Sequence, residues 1–317
     1  MEDCHSQDQF NVTSYHATAV VFITLQAFAG MWINAFIVSV LCIAWVKKKS
    51  FNSNEKILLV LGCSRFCYLC ITWLYVFLST VYLKYFCVCP IPQLFVATET
   101  FLNCFNLWVS ACLSGFYCIK IANFRHVFFI YLKVKIDRLV PWLLLASVLV
   151  SLVLCVLAYK LSAEPYCDNL NSTALRNFSE LNVGKDERIF PTYFIFGFIF
   201  ATAFMAVIFS ALLLFFSLWK HKCKMQTNSV KNISIDAHIK AMKSILSFFF
   251  IYSINFTCLI LILVYSTKKK KPEMALISIF LYNFPAVHSF ILIFSNPKLE
   301  KTLLRTLSWA KCKVCMR

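Results

Sequence analysis

Four polar side chains interrupt stretches that are otherwise almost wholly apolar. Asn34 lies in GMWINAFIV, Arg65 in LLVLGCSRFCY, and His288 and Ser289 in FPAVHSFILIFSN. A guanidinium cannot shed its charge, so Arg65 has to face protein and find carbonyls or polar side chains. Asn34 and the His288-Ser289 pair sit at comparable depth in their own stretches and are the natural partners. The chemistry this suggests is charge compensation inside an apolar bundle. It is not a transport path, because no carboxylate accompanies Arg65 and no chain of carboxylates leads to it. Lys120, in FYCIKIANF, closes another apolar run just after Tyr117. It is either an anchor at a lipid surface, favoured by the C-terminal end of a helix dipole, or part of a switching device. Glu99, near the far end of the same run, reads as a solvated helix start.

Catalytic and metal-binding arrangements are missing from the sequence. It has no Gly-rich phosphate loop, no His-Glu-x-x-His and no metal-spaced Cys/His set, and only 5 glycines in 317 residues. No catalytic residue, metal ligand or cofactor is therefore expected, and nothing points to nucleic acid. The aromatic content is high, with 33 Phe, 13 Tyr and 7 Trp. A cavity walled by such residues and few charges suits neutral, apolar, varied small molecules.

The elements that must position these residues follow from composition. The chain is 60% hydrophobic and 14% charged, with mean hydropathy +0.73. A soluble domain is nearer about 45–50% apolar and about 25% charged, so the expected solvent is lipid. Apolar runs long enough to cross a bilayer occur at 17–46, 57–83, 96–122, 139–160, 190–218, 241–266 and 274–295. The predicted fold is an all-α membrane protein, one seven-transmembrane helix bundle over residues 1–317. The first run follows a polar head without a basic n-region and reads as a retained helix.

With the N-terminus outside and the C-terminus cytoplasmic, the inner segments carry 21 Lys and Arg and the outer ones 9. Basic residues favour the cytoplasmic side; only Lys268–Lys271 dissents. Outer sequons begin at Asn11, Asn171 and Asn177, the last two in the predicted extracellular loop 161–189. Most of the 16 cysteines fall inside spans as small hydrophobes. Cys4, Cys87, Cys89 and Cys167 fall outside, where pairing is open. In the predicted cytoplasmic tail 296–317, Cys312 and Cys315 are palmitoylation candidates, or two free thiols in a basic tail.

Six segments in order carry a resemblance: INAFIV…WVKKK, LLVLGCSRF, NLWVSACLSGFYCIKIANF, LLLFFSLWKHKCKMQ, DAHIKAMKSILSF and FPAVHSFILIFSNPKL. Together they cover nearly the whole chain, and it resembles the bitter taste receptors, the type 2 taste receptors, which are seven-helix G-protein-coupled receptors. The resemblance implies a plasma-membrane receptor in which a bitter small molecule enters the outer half of the bundle, among helices three, five, six and seven. The inner ends then engage a heterotrimeric G protein with a gustducin-like α subunit. Carried over by motif, Trp108, Cys112, Asn255 and Ser278 correspond to pocket positions, with ordinary helix packing as the alternative. Tyr117, Lys120, His221 and His238 fall in segments that the resemblance assigns to activation and coupling. FYCIKIANF stands where other receptors carry Asp-Arg-Tyr, with no acid beside the base.

Departures are visible. Cys112 occupies a position often held by Asn. Ala203 replaces a proline common midway along helix five, and Phe284 replaces Tyr before the helix-seven proline. Rival readings are a vomeronasal-type or other chemosensory seven-helix receptor and, in a different class, a transporter or channel. A transporter would show broken spans matched between two halves, and a channel rings of pore-facing charge. Neither pattern is present.

Overall fold

A computed structural model describes residues 2–82, 90–122, 126–171, 180–226, 246–262, 264 and 271–315; side chains are described for a subset of these. All the regular structure among the described residues is α-helical. The helices are α1 (Glu2–Lys48), α2 (Ser53–Val81), α3 (Ile91–Ile121), α4 (Val127–Asn171), α5 (Glu180–Gln226), α6 (Leu246–Ile262), α7 (Lys271–Ser295) and α8 (Pro297–Cys315).

Five segments are long and apolar enough to cross a membrane: Val20–Lys48, Ser53–Val81, Ile91–Ile121, Val127–Ser162 and Phe194–Lys220. With the shorter apolar α6 and α7 they give seven. The helices outrun the apolar stretches. α1, α4 and α5 have 47, 45 and 47 residues, roughly 70 Å each at 1.5 Å per residue, against a hydrocarbon thickness of about 30 Å. Hydropathy marks where a helix leaves lipid; it does not mark where backbone hydrogen bonding stops. So the polar head of the chain is helical from Glu2, and the described parts of 161–189 are helical too.

Breaks occur where the sequence gives a local reason. α1 ends as Lys49 takes a left-handed φ of 53°, with its N–H on the Trp45 carbonyl at 2.6 Å. α2 starts after Asn52, whose N–H donates to the Glu55 carboxylate at 3.2 Å, half of a capping box. Between α7 and α8 the chain turns at Asn296-Pro297. Asn296 caps the new helix by accepting from the Lys298 N–H at 3.0 Å, Pro297 occupies its first position, and the axes diverge by 96°. The tail expected after the seventh span is thus a separate helix.

α3 is the central element, packed on α2, α4 and α5, while α1 packs on α2 and α7. One core cluster joins α1, α2, α3, α4 and α7 through Ile37, Leu58, Leu113, Ile136 and Leu292. A second joins α3, α4, α5 and α6 through Leu107, Leu154, Phe200, Ala203 and Tyr252. The outer faces are apolar as well. Trp32, Trp142, Phe194, Phe198 and Phe209 all expose most of their surface, which fits side chains solvated by lipid.

Candidate functional site: a buried arginine junction between two ends of the bundle

The structure brings Asn34, Arg65, His288 and Ser289 together. Arg65 is 1% exposed. Its Nη1 donates to Ser289 Oγ at 2.8 Å and its Nη2 to Ser110 Oγ at 3.0 Å. Nη2 also meets His288 Nδ1. Since a guanidinium only donates, Nδ1 accepts, and the ring proton belongs on Nε2. Ser289 passes its own hydrogen to Asn34 Oδ1 at 2.8 Å, and Asn34 Nδ2 donates to the Gly30 carbonyl at 2.8 Å. The positions follow from helical spacing. His288 and Ser289 are adjacent, so one faces α6 and the other α1.

Two members of this junction were not anticipated from sequence. Ser110 brings in α3 and Tyr252 brings in α6, its hydroxyl 3.2 Å from His288 Nδ1. Serine on a helix is too common to stand out, and Tyr252 is one of 13 tyrosines. Three rings of α6 and α7 box the imidazole: Phe248 at 4.9 Å, Tyr252 at 5.0 Å and Phe284 at 5.7 Å between centroids. Beside His288 lies a cavity of about 30 Å³, room enough for water. Ser110, Ser114, Tyr117, Tyr252 and His288 line it among others. It places Tyr117 next to the junction.

Beyond the junction, toward the Ile91 end of α3, Trp108 packs on the second core cluster. Its indole Nε1 has no hydrogen-bond partner among the described residues. Asn255 on α6 is 5% exposed, and its Oδ1 is also without a partner. Cys112 points differently: its sulfur is 3.7 Å from Ser147 Oγ of α4. α5 runs unbroken through Ala203, which is fully buried against the second cluster.

At the opposite end of α3, Lys120 Nζ forms an ion pair with Asp137 Oδ2 of α4 at 2.7 Å. The acid absent beside the base in sequence is supplied by the next helix. Asp137 lies in the first turns of α4, before the apolar stretch 139–160. Hydrogen bonds from Lys120 and from Ser53 of α2 hold its carboxyl below the ordinary value. Nearby, Lys298 of α8 donates to Glu55 of α2 at 2.5 Å.

Ser278 lies in α7, His221 in α5, Asn11 in α1, Asn171 at the end of α4, and Cys312 and Cys315 in α8; their side chains are not among those described. His238 and Asn177 lie outside the described residues.

A family profile described as taste receptor protein (TAS2R) matches residues 12–311. The chain belongs to the type 2 taste receptor family. Relatives of this bitter taste receptor include taste receptor type 2 member 9 of Papio hamadryas, 30% identical over 94% of this chain and 96% of the relative. Member 7 of the same species is 31% identical over 92% and 93%, and human member 2 is 29% identical over 92% and 96%. The protein is accordingly a multi-pass, seven-transmembrane G-protein-coupled receptor and not an enzyme.

Proposed function

We propose that this bitter taste receptor lies in the plasma membrane with its N-terminus outside and binds bitter small molecules in the half of the bundle above the arginine junction. Trp108 and Asn255 supply the polar contacts, with Ser278 on α7 a further lining position and Cys112 turned toward α4 at the margin. The observation that carries this reading is the pair of orphaned polar atoms, Trp108 Nε1 and Asn255 Oδ1, on two helices of that half. Buried polar atoms rarely stay unpaired. One donor and one acceptor offer a ligand complementary hydrogen bonds.

The other end of the bundle engages a gustducin-type G protein, with Tyr117, Lys120, His221 and His238 contributing. Positive charge concentrates there, as it does on cytoplasmic segments. That orientation places the sequons at Asn11, Asn171 and Asn177 outside and Cys312 and Cys315 at the inner leaflet, available for acylation. Ligand and G protein then bias one two-state equilibrium from opposite ends.

The test is calcium imaging of cells expressing the receptor with a chimeric G protein, against a bitter-compound panel. Trp108→Ala and Asn255→Ala are expected to raise the half-maximal agonist concentration about tenfold, the scale of a lost buried hydrogen bond with its packing. Unchanged potency across several agonists, at equal surface level, removes the pair from the site.

A further inference from the structure

The arginine junction is one positive charge out of balance. The Arg65 guanidinium stays protonated. His288 is neutral, because its Nδ1 accepts from Arg65 Nη2. The remaining partners, Ser110, Ser289, Asn34 and Tyr252, carry no charge. Among the described residues the ion pairs are Lys120–Asp137 and Lys298–Glu55, and neither includes Arg65. Its Nε also lacks a hydrogen-bond partner there. Hydroxyl and amide dipoles solvate a cation without cancelling its charge, and a charge taken out of water is normally paired.

The cavity beside His288 is where a counter-charge fits. Two of its lining residues, Ser110 and His288, touch Arg65 Nη2 directly, so an occupant stands one side chain away from the guanidinium. Its volume of about 30 Å³ admits a small ion but not an organic ligand, whose pockets take roughly 300 Å³ or more. Hydroxyl hydrogens are available. His288 Nδ1 has one lone pair, and the guanidinium holds it. The hydroxyls of Tyr252 and Ser110 therefore keep at least one hydrogen between them for the cavity. Ser114, one turn further along α3, makes no hydrogen bond with a described residue. Val207, Ala211 and Leu214 form an apolar side. A monatomic halide needs few donors and tolerates apolar contact, whereas phosphate or sulfate brings several oxygens that each ask for one. A cation is repelled by Arg65, and water leaves the charge uncompensated. We propose that the cavity is a chloride site, with the ion held by the hydroxyls of Ser110, Ser114 and Tyr252 as the counter-ion of Arg65. Occupancy ties the packing of α3, α5, α6 and α7 to the halide concentration.

The experiment follows the thermal unfolding midpoint of full-length, detergent-purified receptor at fixed pH and ionic strength. Sodium gluconate, whose anion is too large for the cavity, is replaced stepwise by sodium chloride or sodium bromide. The midpoint is expected to rise and saturate with either halide. Ser114→Ala removes one donor to the ion and should raise the half-saturating chloride concentration about tenfold, the scale of a hydrogen bond to a charged group. Ser114→Asp places a carboxylate in the cavity. It should hold the midpoint in gluconate near the wild-type chloride value and abolish the chloride dependence. A wild-type midpoint that is equal in gluconate and chloride means that water alone fills the cavity, and it overturns the proposal. A rise that does not saturate, or half-saturation unchanged in both variants, places the anion elsewhere and overturns it equally. If neither variant can be purified, a wild-type comparison decides: stabilisation by chloride and bromide but not by sulfate at equal ionic strength supports the site, and an equal effect of sulfate rejects it.

Discussion

Arg65 links α2 to α3 and α7 through one planar group, with Nη1 on Ser289 and Nη2 on Ser110 and His288. An ammonium has no such fork. Arg65→Lys keeps the charge but cannot reach partners on both helices at once. Each buried polar group left unsatisfied costs about 1–3 kcal/mol. The variant is therefore expected to lower the thermal unfolding midpoint of detergent-purified receptor and to cut surface expression severalfold. Arg65→Met should do worse, since it strips the donors from Ser289, Ser110 and His288 together. An unfolding midpoint equal to wild type for Arg65→Lys would show that the fork geometry carries nothing.

At the scale of elements, the junction depends on how closely α1, α2 and α7 approach. A Cβ added at Gly30 would stand 2.6 Å from Leu69 Cδ1 and 3.1 Å from Ala286 Cβ. Gly30 also accepts the Asn34 side-chain hydrogen bond one turn on. Alanine requires only that the Leu69 methyl and the facing Ala286 yield slightly, and it gains helix propensity. Leucine must push α1 away from α7, with overpacking worth about 1–3 kcal/mol and stretching of the Ser289–Asn34 bond. Gly30→Leu should therefore lose surface expression strongly and Gly30→Ala little, read by surface immunostaining; equal behaviour would place no tight crossing there.

Periodicity and hydropathy made most of this architecture legible. Long apolar runs identify helices because lipid leaves the backbone no other partner. The polar exceptions within them, Asn34, Arg65, His288 and Ser289, could be paired by depth alone. Ser110 and Tyr252 escaped, because a short hydroxyl and one tyrosine among many look ordinary until a neighbouring helix is placed. The pairing of Lys120 with Asp137 was hidden for the same reason: the two are 17 positions apart, and only the packing of α4 on α3 joins them.

For the whole molecule, the arginine junction lies between two ends that must report to each other. Trp108 and Lys120 are 12 positions apart on α3, about 18 Å along its axis, with Ser110, Ser114 and Tyr117 on the path beside the central cavity. At the Lys120 end the ion pair to Asp137 is partly exposed, 36% and 49% for the two side chains. Such pairs add little to stability, so its effect should appear in the conformational balance. The tie also involves Ser53 of α2, so it joins three helix ends. Because the folded-state carboxyl is held low, its contribution is complete at neutral pH and fades only as pH falls through that depressed value. Lys120→Ala and Asp137→Asn should each raise ligand-independent signalling, while agonist affinity in membranes stripped of G protein stays near wild type. Exchanging the charges, Lys120→Asp with Asp137→Lys, should return basal signalling toward wild type, because the pair re-forms with its ends reversed. If Lys120 acts only through the G-protein contact and not through its tie to Asp137, Asp137→Asn will be silent and the exchange will not rescue. Basal and agonist-driven calcium responses of the three variants, normalised to surface receptor, separate the two outcomes.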